Sequence, residues 1–159
     1  MRELDVSVVR DTVARLCIEA NCHLPQDVKT CIEGCHAAEP WAPAREILER
    51  IIENYQIADN ENVPICQDTG VACVFLKIGQ EVHINGDVAE AVNEGVRQGY
   101  IDGYLRKSVV RDPLDRVNTG DNTPAIIHLD LVAGEELEIT ALDAQGEVVD
   151  YDAFDRNSK

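Results

Sequence analysis

The stretch Val71-Ala72-Cys73-Val74-Phe75-Leu76-Lys77-Ile78 decides the fold class, because the apolar pattern of the chain changes there. Apolar residues recur at helical spacing before it, whereas this run is continuous and rich in β-branched side chains, which is typical of a buried strand. The polar loop Val63–Gly70 separates the part of the chain with helical spacing from this strand. The sequence therefore predicts a fold that contains both helices and strands, α/β (α+β). An N-terminal helical layer is followed by mixed strands and one further helix.

Three amphipathic helices are predicted before this strand. The first carries Val9, Val13, Leu16, Cys17 and Ala20 on one face, with Asp5 or Ser7 as its cap. The second spans 25–36 and the third runs from 44 to about 58, with a two-proline turn between them. We expect the three helices to pack together as one layer.

The second half alternates short strands with one helix. Residues 81–85 extend the central run past a turn, and Asp87 is a candidate N-cap for a helix that reaches about residue 105. Gly95, Gly99 and Gly103 recur at four-residue spacing, which predicts a close approach of another backbone; a broken helix is the alternative. Strands are predicted at 125–132 and 137–142, and 148–151 closes a hairpin after the turn at 143–146. The end, 152–159, is expected to fray.

Composition excludes several classes of function. The 159 residues carry 14 Lys and Arg against 30 Asp and Glu, a net charge of −16, and 4% are aromatic. A surface this acidic repels phosphate backbones and anionic lipid, so we expect no nucleic acid and no membrane partner. The first residues contain no apolar signal-like run, and the cytosol is the expected compartment. The six cysteines are then expected to be thiols or metal ligands.

Five of the cysteines fit structural positions. Cys17, Cys31 and Cys35 share apolar helix faces and Cys73 lies in an apolar strand, so we expect all four to be buried. We expect Cys22 to be either partly buried or at the surface. A zinc module built from Cys22, Cys31, Cys35 and His36 is a weaker alternative, since zinc knuckles usually separate paired ligands by two residues.

Cys66 differs because it lies in the polar loop between a helix and a strand. A nucleophilic thiolate needs a positioned base, and the nearest candidates, His83 and His128, fall in predicted strands. Ligation of a metal centre, such as an iron–sulfur cluster, needs no base and fits better.

Two further polar segments leave two interpretations open. Arg106, Lys107 and Arg111 are either a solvated helix end or a clamp for a carboxylate, which a guanidinium binds through two parallel hydrogen bonds. The loop 118–125 is either a plain turn or part of a site.

Five ordered motifs together resemble the iron–sulfur hydro-lyases of the class I fumarase and tartrate dehydratase family, in the N-terminal part of the alpha subunit. The motifs are Leu16-Cys17-Ile18-Glu19-Ala20-Asn21, Ile65-Cys66-Gln67-Asp68-Thr69-Gly70, Asn93-Glu94-Gly95-Val96-Arg97, Gly103-Tyr104-Leu105-Arg106-Lys107-Ser108-Val109-Val110 and Asn118-Thr119-Gly120-Asp121-Asn122-Thr123-Pro124-Ala125. The resemblance covers roughly residues 1–140.

The resemblance implies a role for each matched residue. Cys66 ligates a [4Fe–4S] cluster, whose open iron binds the hydroxyl and carboxylate of a four-carbon dicarboxylate and acts as a Lewis acid. Gln67 and Asp68 bind the substrate beside the cluster, Asp68 being the candidate catalytic residue. Arg106 clamps a substrate carboxylate. The implied activity is the reversible hydration of fumarate to malate, or the dehydration of tartrate.

The sequence also departs from the family. The family's cluster takes three cysteines, and none of the other five cysteines here matches the two remaining positions. We therefore divide the chain into 1–140, the N-terminal part of an alpha-type catalytic domain, and 141–159, a divergent hairpin and polar tail. The expected partners are the remaining alpha portion or a beta-type subunit, in a homo- or hetero-oligomer. The alternative is a truncated, non-catalytic scaffold or binding protein that retains the fold.

Overall fold

A computed structural model describes residues 1–66 and 69–142 of the chain, together with the backbone of 148–152. The elements in chain order are β1 (Arg2–Asp5), α1 (Ser7–Cys22), α2 (Gln26–Ala38), α3 (Ala42–Glu61), β2 (Cys73–Gly79), β3 (Val82–Asn85), α4 (Val88–Asp102), β4 (Ile126–Val132), β5 (Leu137–Leu142) and β6 (Val148–Asp152). Helices and a mixed sheet confirm the α+β fold class.

The main sheet is built around the strand that the central apolar run predicts. Its order is β4-β2-β5-β6, with β2 parallel to β4 and antiparallel to β5. Val74, Leu76 and Ile78 of β2 are buried, and they belong to the same apolar cluster as residues of α1 and α4. The predicted hairpin is confirmed because β6 pairs antiparallel with β5. The turn at 143–146 and the tail at 153–159 lie outside the described residues.

Helices α1 and α4 pack with almost no space between their backbones. A Cβ added at Gly95 would lie 2.5 Å from the Arg10 carbonyl oxygen, and a Cβ added at Gly99 would lie 2.7 Å from the Ala14 carbonyl oxygen. The predicted glycine stripe is confirmed, since any side chain at these positions would push α1 away. Gly103 follows the end of α4, where it is the C-cap residue. The predicted N-cap is also confirmed, because Asp87 accepts a hydrogen bond from the Glu90 amide.

The second and third helices form a separate hairpin. No residue of α2 is buried, and α3 buries only Tyr55 and Ala58, which contact Ile65 in a small second core. The expectation of one layer of three helices is therefore wrong in its packing: α1 packs mainly on α4 and the sheet, and α2 packs on α3. The apolar side chains of Ile47 and Ile51 on α3 remain exposed.

The cysteines correct a second expectation. Cys17 and Cys22 are buried and Cys73 is half-buried, but Cys31 and Cys35 are exposed. The expectation of burial fails because α2 packs on one neighbouring helix, so that part of its apolar face stays uncovered. All six cysteines are free thiols.

One strand was not predicted. Residues 2–5 form β1, which pairs in parallel with β3 in a separate two-stranded sheet. The predicted extension of the central run past Gly79 therefore belongs to this second sheet and not to the main one. Within the described ranges, no helix has both the length and the apolar content that crossing a bilayer requires.

We predict that Gly99→Ala lowers the free energy of unfolding by about 1–3 kcal/mol, because its methyl group clashes with the backbone of α1. Gly34→Ala on α2 is the matched control. Nothing lies within 4 Å of its added Cβ, and alanine there should raise the free energy of unfolding by about 0.5–1 kcal/mol. Urea denaturation measures both, and stabilisation by Gly99→Ala would contradict the packing.

Candidate active site

The loop that carries Cys66 is held by its backbone. The Ile65 amide donates to the carbonyl oxygen of Asn21 at 2.9 Å, and the Cys66 amide donates to Asn54 Oδ1 at 3.0 Å. Ile65 is buried, whereas Cys66 is exposed. The residue before the cysteine thus anchors the loop, and the thiol itself is accessible. Gln67 and Asp68 lie outside the described residues.

An apolar cavity adjoins this cysteine. It has a volume of about 630 Å³ and lies between α2, α3 and the loop. Its lining is Leu24, Val28, Ile32, Ile47, Arg50, Ile51, Asn54, Ile65 and Cys66. One side of the Cys66 residue therefore lines this apolar cavity.

The arginine segment begins where α4 ends. After Gly103, Tyr104 adopts a left-handed backbone conformation with φ of 55°, which turns the chain away from the helix axis. Leu105 is then buried, and Arg106 next to it is exposed. Because α4 ends at Asp102, the cations at 106, 107 and 111 lie beyond its last turn. The interpretation of a charged helix end does not apply to them.

The loop 118–125 joins the cysteine loop to the arginine segment. Asn122 is 0% exposed and left-handed, with φ of 62°. Its Oδ1 accepts hydrogen bonds from the amides of Ser108 at 2.6 Å and Val109 at 3.0 Å, and its Nδ2 donates to the Gly70 carbonyl oxygen at 3.4 Å. This loop is therefore more than a turn that bonds only to itself.

Helix α4 fixes the same loop from the other side. Arg97 Nε donates to Asp121 Oδ2 at 3.0 Å, and Asn93 Oδ1 accepts from the Ala125 amide at 2.9 Å. Asn118 Nδ2 in turn donates to the Lys107 carbonyl oxygen at 3.0 Å. The five motifs singled out in the sequence are thus linked by hydrogen bonds into one framework.

The described residues include no group of three His, Cys, Asp or Glu side chains arranged to hold a metal ion. A metal bound by the exposed Cys66 thiol would therefore need further ligands from outside the described residues. Ser108 Oγ, two residues from Arg106, is buried and has no hydrogen-bond partner among the described residues. A buried hydroxyl left unpaired is unfavourable, which points to a polar ligand at this segment.

Two asparagines matter more than the sequence indicated. Asn54 orients the Cys66 amide from α3, although it lies outside the five motifs and only its polar character beside an apolar stripe distinguishes it. Asn122 lies within a motif, but its burial depends on contacts with residues distant in sequence. His83 and His128 lie in β3 and β4, as expected, and the His128 ring stacks on Phe75 at 4.7 Å.

We predict that Asp121→Asn lowers the free energy of unfolding by about 2 kcal/mol at pH 7. Burial opposes ionisation of Asp121, but hydrogen bonds from Thr123 and Arg97 outweigh it and lower the pKa to about 2. Since this folded-state pKa lies below that of the unfolded chain, the contribution is complete above about pH 4 and is lost as the pH falls through about 2. Urea denaturation from pH 7 to 2 measures it.

Asp130→Asn, at an exposed position on β4, is the control and should change the free energy of unfolding little at any pH. A cost of Asp121→Asn that stays constant across this pH range would contradict the assignment.

Comparison with known proteins places these observations in a family. Residues 10–146 match the model of the family described as fumarate hydratase (fumerase). The chain is similar to the putative L(+)-tartrate dehydratase subunit alpha of Methanocaldococcus jannaschii, with 39% identity over 140 residues, 84% of this chain and 49% of that protein. It is 37% identical to the anaerobic class I fumarate hydratase of Escherichia coli K12 over 103 residues, 64% of this chain and 19% of that protein.

A third relative is the L(+)-tartrate dehydratase subunit alpha of Escherichia coli K12, which is 29% identical over 118 residues, 74% of this chain and 39% of that protein. The chain thus spans about half the length, or less, of these curated relatives. The family model covers most of the chain and includes all five hydrogen-bonded motifs, so the chain belongs to the fumarate hydratase (fumerase) family.

Proposed function

We propose that this chain provides one cluster ligand and the carboxylate clamp of a [4Fe–4S]-dependent hydro-lyase. The reaction is the reversible hydration of fumarate to malate or the dehydration of tartrate. The observation that carries the proposal is the accessible Cys66 thiol, held within the same hydrogen-bonded framework as the arginine segment. The relatives named as fumarate hydratase and as tartrate dehydratase support both substrates equally.

Arg106 binds one carboxylate of the four-carbon dicarboxylate. A planar guanidinium holds a carboxylate through two parallel hydrogen bonds, and a net charge of −16 otherwise repels a dianion. The buried hydroxyl of Ser108, which has no partner in the described part of the chain, supports a polar ligand beside Arg106. From the resemblance, Gln67 and Asp68 bind the substrate hydroxyl and second carboxylate, and Asp68 takes part in catalysis.

Cys66 holds the cluster through its thiolate. When bound, the cluster supplies a Lewis-acidic iron for the substrate hydroxyl. Since the described residues offer one such thiolate and no group of three metal-binding side chains, we place the other two thiolates on a portion of the relatives' length that this chain does not match.

The partners follow from this division. The relatives of Methanocaldococcus jannaschii and Escherichia coli are named as alpha subunits, and we propose that a remaining alpha portion, a beta-type subunit or both complete the active site. Exposed apolar side chains on α3 and on the edge strand β4, among them Ile47, Leu129 and Leu131, support association into an oligomer. Six free thiols suit a reducing compartment, which we take to be the cytosol.

We predict that Cys66→Ser removes most of the iron from the protein. The chain is produced together with its partner subunit, reconstituted anaerobically with Fe²⁺ and sulfide, and assayed for bound iron and for fumarate hydration. Cys31→Ser is the matched control, because Cys31 is also an exposed thiol but lies on α2 outside the framework. It should retain both iron and activity.

Each other outcome counts against the proposal in its own way. Equal iron in wild type and Cys66→Ser, with no turnover in either, would favour a non-catalytic scaffold. Loss of metal from Cys31→Ser alone would place the metal on α2, and tightly bound zinc in place of iron would favour a zinc module.

We predict that Arg106→Lys raises KM for the dicarboxylate about tenfold, since lysine loses the second of two charge-assisted hydrogen bonds. Arg111→Lys is the control, an exposed arginine on the same segment, and should leave KM unchanged. Steady-state kinetics of the reconstituted enzyme measure both. Equal KM values for the two variants would contradict the clamp.

A further inference from the structure

We infer that Asn122 is a positioning residue whose buried side chain sets the placement of the Cys66 loop relative to the Arg106 segment. The effect of Asn122 on the kinetics of the enzyme rests on the proposed function. The contact that Asn122 makes does not, because it depends only on hydrogen bonds within the described residues.

The Asn122 side chain connects two segments that lie outside helices and strands. Neither 63–66 nor 103–109 belongs to a helix or a strand, so no regular hydrogen-bond ladder fixes their separation. The Asn122 side chain supplies both an acceptor and a donor. Its Oδ1 takes two adjacent amides of the arginine segment, at 2.6 and 3.0 Å, and its Nδ2 reaches the Gly70 carbonyl oxygen at 3.4 Å.

Asn122 is itself held firmly. The backbone on its N-terminal side is fixed by Asp121, which accepts hydrogen bonds from Arg97 and from the Thr123 amide and hydroxyl. The left-handed φ of 62° suits asparagine better than most residues. The Asn122 side chain itself is fully buried, which shields its own hydrogen bonds from water. Helix α4 therefore fixes where this side chain lies, and the side chain links Gly70 to the arginine segment.

This arrangement has a consequence for binding a dicarboxylate. A ligand that contacts both a metal centre on Cys66 and the guanidinium of Arg106 requires a fixed distance between them. A change in that distance weakens one of the two contacts, so the ligand binds less tightly. Because the Asn122 side chain is fully buried and hydrogen-bonded to backbone groups, its effect on binding passes through the two segments that it connects.

The variant Asn122→Asp keeps the acceptor of this side chain and removes its donor. The carboxylate still accepts from Ser108 and Val109, but an oxygen replaces the nitrogen that faces the Gly70 carbonyl oxygen, and two acceptors repel. Asn122→Ala removes both the acceptor and the donor. Asn62→Asp is the matched control, because Asn62 is also left-handed, with φ of 52°, and is exposed at the end of α3.

Amide hydrogen exchange tests the contact in the full chain without any metal. In the wild type, the Ser108 and Val109 amides should exchange slowly although they lie outside helices and strands. They should stay protected in Asn122→Asp and lose protection in Asn122→Ala. Fast exchange of both amides in the folded wild type would overturn the inference even if neither variant folded.

Kinetics of the complete, reconstituted enzyme test the positioning. Asn122→Asp should raise KM for fumarate or tartrate about tenfold relative to Asn62→Asp, a change of about 1.4 kcal/mol, with iron content unchanged. A merely structural role would lower the folded fraction and the apparent kcat at constant KM, and that result would overturn the inference. A wild type that binds no iron would instead contradict the proposed function, and the exchange data would still decide the contact.

Discussion

Three hydrogen bonds of one buried amide connect the parts of this site. Asn122 accepts from two amides of the segment that carries Arg106 and donates to the end of the loop that carries Cys66. The amide is useful there because it offers an acceptor and a donor on one short side chain, at a backbone position that asparagine tolerates. The helix pair α1 and α4 provides the rigid support, since Gly95 and Gly99 let the two backbones touch and Asn93 and Arg97 of α4 hold the loop.

The distribution of charge on the chain bears on how a dicarboxylate would reach this site. A chain with a net charge of −16 repels dicarboxylates at long range. Arg97 forms ion pairs with Asp121 and Glu94, so it shapes the loop. Arg106 on the arginine segment is exposed, and Lys107 beside it is half-buried. On the other side, Cys66 lines an apolar cavity between α2 and α3.

Local sequence patterns predicted most of the helices and strands. They did not predict the contacts between residues that are distant in sequence. The β-branched run at β2, the β5–β6 hairpin and the Asp87 cap depend on neighbours in sequence, and all were predicted. The pairing of β1 with β3 joins residues about eighty positions apart, and nothing in residues 2–5 alone indicates it. The exposure of Cys31 and Cys35 was missed because an apolar face predicts burial only if a partner covers it. The motifs predicted Cys66 and Arg106 as site residues, and only the structure shows that Asn54 and Asn122 are hydrogen-bonded to the segments that carry them.

The most direct test is anomalous diffraction at the iron edge from crystals of the anaerobically reconstituted enzyme with a bound dicarboxylate. We expect an iron cluster with one iron bonded to Cys66 Sγ, and the Arg106 guanidinium on a carboxylate of the same bound acid. A cluster ligated elsewhere with no bond to Cys66 Sγ, or a bound acid with Arg106 turned away from it, would contradict the proposed roles of both residues.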